Sequence, residues 1–221
     1  MSRHILINVR PWETRVACVD HGALVDLVIE QKSSPTFVGS VYKGRVIKVL
    51  PGMQAAFVDI GLEKAGFLYV RDILPYWQDD EVDEFGEERE PWALETSQLP
   101  NIQELIHEGQ YILTQVAKDP IGTKGPRLTM NLALPGRYVV YMPTVRHIGI
   151  SRKIQDDKER ERLRNIISQS VMNAGVIIRT AAEGASVEDL QGDLTYLERT
   201  YQEIIRHYEK KRGIGLLHQE P

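Results

Sequence analysis

Two phenylalanines, Phe57 and Phe67, stand in the segment VGSVYKGRVIKVLPGMQAAFVDIGLEKAGFLYVRDI, residues 38–73, with Lys43, Arg45, Lys48 and Lys64 around them. Flat rings bordered by cations suit a single-stranded nucleic acid, because bases stack on aromatic faces and phosphates seek positive charge. Phenylalanine is also a common core residue, so the plainer reading is a pair of barrel core side chains. Alternation along Ala55–Ile60 weighs against that reading. It sets Val58 and Ile60 on one face and Phe57 with Asp59 on the other. An aromatic out of step with the apolar face is a candidate binding platform.

A second group lies far along the chain. The run Val176–Thr180 ends in Arg179-Thr180, and Ala181, Ala182, Glu183 and Gly184 follow before a helix start. A helix N-terminus presents unpaired N–H groups and partial positive charge to a phosphate. Arginine grips phosphate oxygens with a planar fork, and threonine adds a hydroxyl. A terminal phosphate, with more free oxygens than a bridging one, suits such a site best. The same arginine could equally pair with Glu183 or Glu188.

Composition sets the frame for both sites. The 221 residues are 42% hydrophobic and 26% charged, enough for one or two soluble domains at about 100–200 residues each. No apolar run approaches the ~20 residues of a membrane span. The opening MSRHILINVRPWE turns charged and proline-broken too early for a signal peptide, which points to the cytoplasm. Cys18 is the only cysteine and reads as a buried reduced thiol, which excludes an intrachain disulfide and a cysteine-cluster zinc site. Net charge is −4, but Asp79–Glu95 holds nine acidic residues and one basic, leaving +4 on the remainder. That block reads as a solvated insertion between strands. What is left is mildly basic, as an RNA-binding surface requires.

The elements that must position these residues follow from pattern and punctuation. Ile5–Val9, Thr14–Val19 and Leu24–Glu30 read as paired strands, with a turn at His21-Gly22, before Ser33-Ser34-Pro35 breaks the pattern. Three β runs in residues 38–73 are separated by Pro51-Gly52 and Gly61–Lys64. Ile102–His107 is a short helical piece, and Tyr111–Ala117 and Arg127–Leu132 supply a fourth and fifth strand across the turn-rich loop 118–126. Five strands with a long insertion fit an OB-fold barrel. Beyond it, Tyr138–Met142 and Val176–Thr180 read as strands. Asp156 and Asp157 cap a helix with Leu163, Ile166, Ile167 and Val171 inward. Ser186-x-x-Asp189 opens a long helix lined by Leu190, Leu194, Leu197, Tyr201, Ile204, Ile205 and Tyr208, with Gly213 after it.

The strings ILINV, YKGRV-KVLPGMQAAFVDIGLEKAGFL, KDPIGTKGPRLT, RYVVYMP, GISRKI, IIRTAAEGA and LLHQE stand in this order along the chain, and with them the sequence resembles the ribonuclease E/G family of bacterial endoribonucleases, most of all its ribonuclease G branch. The resemblance implies an α+β protein. Residues 1–35 would be the first piece of an RNase H-like subdomain and 36–130 a five-stranded OB-fold RNA-binding domain with the acidic insertion 79–95. Residues 131–221 would be an α/β sensor domain for RNA 5′ ends. It further implies that Phe57, Phe67 and Lys124, with Lys43 and Arg45 nearby, hold RNA. Arg179 and Thr180 would grip a 5′-monophosphate, and Gly136 and Val140 would meet the terminal nucleotide through their backbone.

In that family, cleavage of single-stranded RNA in ribosomal RNA processing and messenger RNA decay uses magnesium held on two aspartates of a later domain. A paired-cysteine zinc link then joins protomers. Asp59, Asp119, Asp156 and Asp157 are too scattered to converge on magnesium. The expectation is therefore the N-terminal, RNA-gripping part of a longer magnesium-dependent endoribonuclease, inactive alone, with no cofactor of its own and little self-association. The competing expectation is a free-standing, non-catalytic RNA-binding adaptor. A protein-docking role for the apolar 190–208 helix face is weaker, since such stripes usually pack inward.

Overall fold

A computed structural model describes residues 3–31, 36–74, 100–171 and 174–220. The acidic block 79–95 and the Ser33-Ser34-Pro35 break lie outside the described residues. The chain divides into two compact units, Met1–Phe37 and Val38–Pro221.

The first unit is an antiparallel meander of β1 (Arg3–Val9), β2 (Glu13–Asp20) and β3 (Ala23–Gln31). His21 and Gly22, at φ 50° and 82°, make the two-residue turn between Asp20 and Ala23. Both central residues at positive φ give the turn the twist that matches a hairpin. Ile5 and Ile7 on one face and Leu6 on the other are all more than half exposed. Cys18, expected to be buried, is only partly so, because among the described residues of this unit no helix or second sheet covers β2.

The second unit begins with the barrel. Its strands are β4 (Val41–Leu50), β5 (Ala55–Asp59), β6 (Gly66–Tyr69), β7 (Tyr111–Lys118) and β8 (Arg127–Thr129). They pair in the order β4-β5-β6-β8-β7, and β7 returns to β4 to close a five-stranded, OB-fold-like barrel. Pro51–Met53 makes a tight helical turn between β4 and β5. Closure leaves no free edge among the five. Val46, Ala56, Val58, Ile60, Leu68, Val116 and Leu128 fill the interior, and Ile102 of the short helix α1 (Ile102–Leu105) is fully buried with Ile106.

Beyond the barrel, β9 (Leu134–Pro135), β10 (Val139–Met142), β11 (Ile148–Ile150) and β12 (Gly175–Ile178) form a sheet in the order β11-β12-β10-β9. Helix α2 (Asp157–Ser170) starts where the Asp156 carboxylate accepts the Lys158 N–H at 3.0 Å, and Leu163 and Ile167 are buried on its inner side. Helix α3 (Val187–Lys210) starts at Ser186, whose hydroxyl accepts the Asp189 N–H at 3.1 Å and donates to its carboxylate at 2.8 Å. Leu190, Leu194, Leu197 and Ile204 face one core with Val176, Ile178 and Val41 of the barrel. A last strand, β13 (Gly215–His218), joins β4 beside Val41 and Lys43.

Three strands escape the sequence pattern: β9, β11 and β13. Two or three residues, or a glycine-led run after a helix, carry too little alternation to register. The expected fifth strand, Arg127–Leu132, ends at Thr129, where the threonine hydroxyl accepts the Asn131 N–H at 3.0 Å and turns the chain.

Candidate functional site

Directly paired residues of neighbouring strands point to the same side of a sheet. Lys48 pairs with Phe57, Phe57 with Phe67, Phe67 with Arg127, and Arg127 with Lys118. Five side chains therefore form one row across all five barrel strands, two rings in the middle and cations at both ends. The rings lie edge to face, with centroids 6.0 Å apart and planes at 72°. Phe57 is 36% exposed while its neighbour Val58 is fully buried, so the alternation inferred from sequence holds from Ala56 to Ile60, whereas Ala55, expected on the Phe57 face, is buried as well.

Two bulges complete the row. Register slips between Val46 and Lys48 opposite β5, and between Val116 and Lys118 opposite β8. The extra residues, Ile47 and Ala117, are exposed. Each bulge brings a lysine into register beside the aromatic row. The Arg127 Nε lies 3.3 Å from the Asp72 carboxylate, which orients the guanidinium at the row's edge.

Lys124 sits in the 119–126 loop and is exposed. That loop is seated on the Gly61–Ala65 turn: Gly125 approaches the Ala65 carbonyl so closely that a Cβ would lie 1.9 Å from its oxygen. Lys64 donates to the Gly122 carbonyl at 2.6 Å, and the Phe67 N–H donates to the Pro126 carbonyl at 2.8 Å. Lys64 thus fixes the loop carrying Lys124, and the loop's end is tied to the strand carrying Phe67.

Arg45 is exposed opposite Asp59, on the strand that carries Lys48. Lys43 requires a correction. Its ammonium donates to the Tyr208 carbonyl at 2.8 Å and the Lys211 carbonyl at 2.7 Å, and lies over the Tyr208 and Tyr111 rings at 4.4 Å and 5.5 Å. A helix C-terminus offers unpaired carbonyls and partial negative charge. Lys43 serves α3 there instead of standing beside the phenylalanines.

The second group gathers at the end of β12. Arg179 is exposed; its N–H donates to the Tyr138 carbonyl at 2.8 Å and its guanidinium to the Gly136 carbonyl. No ion pair to Glu183 or Glu188 forms. Thr180 exchanges a hydroxyl hydrogen bond with Ser151 at 2.9 Å. Val140, half-buried on β10, is paired between Pro135 and Ile177. Arg179, Thr180 and Gly136 are therefore brought together from segments more than forty residues apart. No sequence signal marks Ser151, a lone serine after a short strand.

The turn after Thr180 is braced by α2. Glu159 accepts the Gly184 N–H at 2.8 Å and pairs with Arg162, whose guanidinium reaches the Ala185 carbonyl at 3.0 Å. The Arg162 hydrogen bond, with that of Gly184, holds the Glu159 carboxyl down to about 2. At the start of α3, the Ser186–Asp189 cap takes up the Asp189 N–H and sets a carboxylate beside the helix start expected to offer donors to a phosphate.

Among the described residues, no group of three or more His, Cys, Asp or Glu could hold a metal ion. Asp59 accepts the Gly61 N–H and Asp156 caps α2. No described helix is long and apolar enough to cross a membrane.

The closed OB-fold-like barrel thus carries one aromatic and basic row and is continuous with the α/β part of the same unit. The model of the Ribonuclease E/G family matches residues 133–221. Ribonuclease G of Salmonella typhimurium (strain SL1344) is 46% identical over 213 residues, 96% of this chain and 41% of that protein. Ribonuclease G of Haemophilus influenzae is 43% identical over 98% of this chain and 43% of its own length. Ribonuclease E of Escherichia coli (strain K12) is 34% identical over the whole chain and 20% of its own length. The chain belongs to the ribonuclease E/G family, and it spans about two fifths of the ribonuclease G relatives it matches.

Proposed function

We propose that this chain binds single-stranded RNA on the barrel row and senses a 5′-monophosphate at Arg179 and Thr180, as part of a bacterial endoribonuclease acting in ribosomal RNA processing and messenger RNA decay. The row Lys48–Phe57–Phe67–Arg127–Lys118 carries the reading, since it offers stacking surfaces between cations in one line. Lys124 and Arg45 extend the positive border. Arg179 supplies the forked donor, Thr180 the hydroxyl, and the backbone at Gly136 and Val140 the walls for the terminal nucleotide.

The hydrolytic step belongs, on this reading, to magnesium-binding residues outside these 221, and no step of it is assigned to the described side chains. The three-stranded sheet of residues 3–31, apolar on both faces, supports its reading as the first piece of an RNase H-like subdomain. The enzyme works in the cytoplasm, and its self-association rests on parts beyond this span.

Fluorescence anisotropy with short oligoribonucleotides that differ only in a 5′-monophosphate or 5′-hydroxyl tests the proposal. The expected result is salt-dependent binding of both, tighter for the monophosphate. Equal affinity for the two ends would overturn the sensing role, and absence of binding at low salt the whole reading. Cleavage of labelled RNA by the pure chain with magnesium would show that hydrolysis resides within it.

A further inference from the structure

We propose that Asp193 is a positioning residue for the 5′-end site at Arg179, an inference that rests on the sensing role assigned to that arginine. Its carboxylate, on α3, accepts three consecutive backbone N–H groups: Arg137 at 3.2 Å, Tyr138 at 2.8 Å and Val139 at 3.1 Å. Successive N–H groups converging on one point form an anion nest. Here the anion is the protein's own.

The same turn is held from its carbonyl side by Arg179, through its N–H to Tyr138 and its guanidinium to Gly136. Gly136–Val139 is thus gripped between α3 and the sensor arginine, and the Gly136 N–H closes the turn on the Val139 carbonyl at 2.7 Å. Only glycine permits this arrangement at 136, because a Cβ there would lie 2.5 Å from an Asp193 carboxylate oxygen. Asp193 bonds the turn and the guanidinium bonds Gly136, with no hydrogen bond or ion pair between the two side chains. It fixes the carbonyl to which the guanidinium is moored, and so sets where the fork stands when a phosphate arrives. Preorganisation of this kind depends on supporting groups as much as on the binding group.

The test measures the ratio of Kd for 5′-hydroxyl and 5′-monophosphate oligoribonucleotides of one sequence, alongside urea melts of each variant. Asp193→Ala lowers the ratio about tenfold toward one, the size expected when hydrogen bonds to a charged group are lost. Asp193→Asn keeps part of it. Its amide oxygen can still accept from Tyr138 and Val139, while its NH₂ opposes the Arg137 N–H. Gly136→Ala, whose methyl displaces the carboxylate, reproduces the loss without touching Asp193.

An unchanged ratio in Asp193→Ala and Asp193→Asn, with only the melts shifted, would overturn the inference and make Asp193 a structural strut. A wild-type preference that Arg179→Ala erases but the Asp193 variants retain sinks this inference alone. A wild-type ratio of one sinks the sensing role and this inference with it.

Discussion

The ammonium of Lys43, on a barrel strand, donates to the main-chain carbonyl of Tyr208 at 2.8 Å and so caps the last turn of a helix 165 residues further along the chain. One lysine thereby ties the barrel to the α/β part of the second unit. The Tyr208 hydroxyl returns the link by donating to the Tyr111 carbonyl at 3.0 Å.

Lys43→Met is expected to act on stability. Losing a cation at a partly buried helix end, with its hydrogen bonds, costs about 1–2 kcal/mol. Urea denaturation should register that loss, whereas Lys48→Met should weaken RNA binding more than it lowers the urea midpoint. The reverse ranking would return Lys43 to the RNA surface.

Phe57→Ala and Phe67→Ala should each weaken binding of single-stranded RNA by about 1–3 kcal/mol, the worth of one stacked base. The rings touch, so the double variant should lose less than both single losses together. Phe67 is the more buried of the pair, and only its replacement should lower the melting temperature noticeably. Two variants with wild-type affinity would make the rings core packing after all.

Arg179→Lys should fail almost as fully as Arg179→Ala in preferring a 5′-monophosphate. A lysine keeps the charge but loses the planar fork, which both binds the Gly136 carbonyl and offers further donors outward. Competition between labelled monophosphate and unlabelled hydroxyl RNA measures this directly. Full preference in Arg179→Lys would reduce the site to a point charge.

Acid should loosen the turn after Thr180. The folded-state pKa of Glu159 is lowered from 4.5 to about 2, chiefly by its hydrogen bond with Arg162. A lowered folded pKa contributes stability above the ordinary value that fades as pH falls through 4.5 toward 2. The melting-temperature gap between wild type and Glu159→Gln should be widest near neutral pH and close across that window. A gap that stays constant down to pH 2 would assign it to something other than this ionisation.

Much of the fold is legible in the sequence because its signals are local. The His21-Gly22 turn, the capping residues Asp156 and Ser186, the alternation about Phe57 and the apolar stripe from Leu190 to Tyr208 each depend on a few neighbouring residues. β11 and β13 are not legible, since a three-residue strand and a strand that docks on a distant partner owe their existence to that partner. Cys18 shows the converse, an apolar run whose burial depends on what covers it.

The order of apolar and polar positions, set by the amino acids alone, determined that two rings would leave the core side of a barrel and that an Arg-Thr pair would end a strand. Tertiary structure decided which cations keep them company. Register between strands is a property of pairs, and the bulges at Ile47 and Ala117 place Lys48 and Lys118 in line with the phenylalanines while Lys43 is drawn away to a helix end. Likewise, Asp193 grips the 137–139 turn, Arg179 reaches Gly136 and Ser151 meets Thr180 only because sheet and helix bring distant segments together, and no local pattern encodes those meetings.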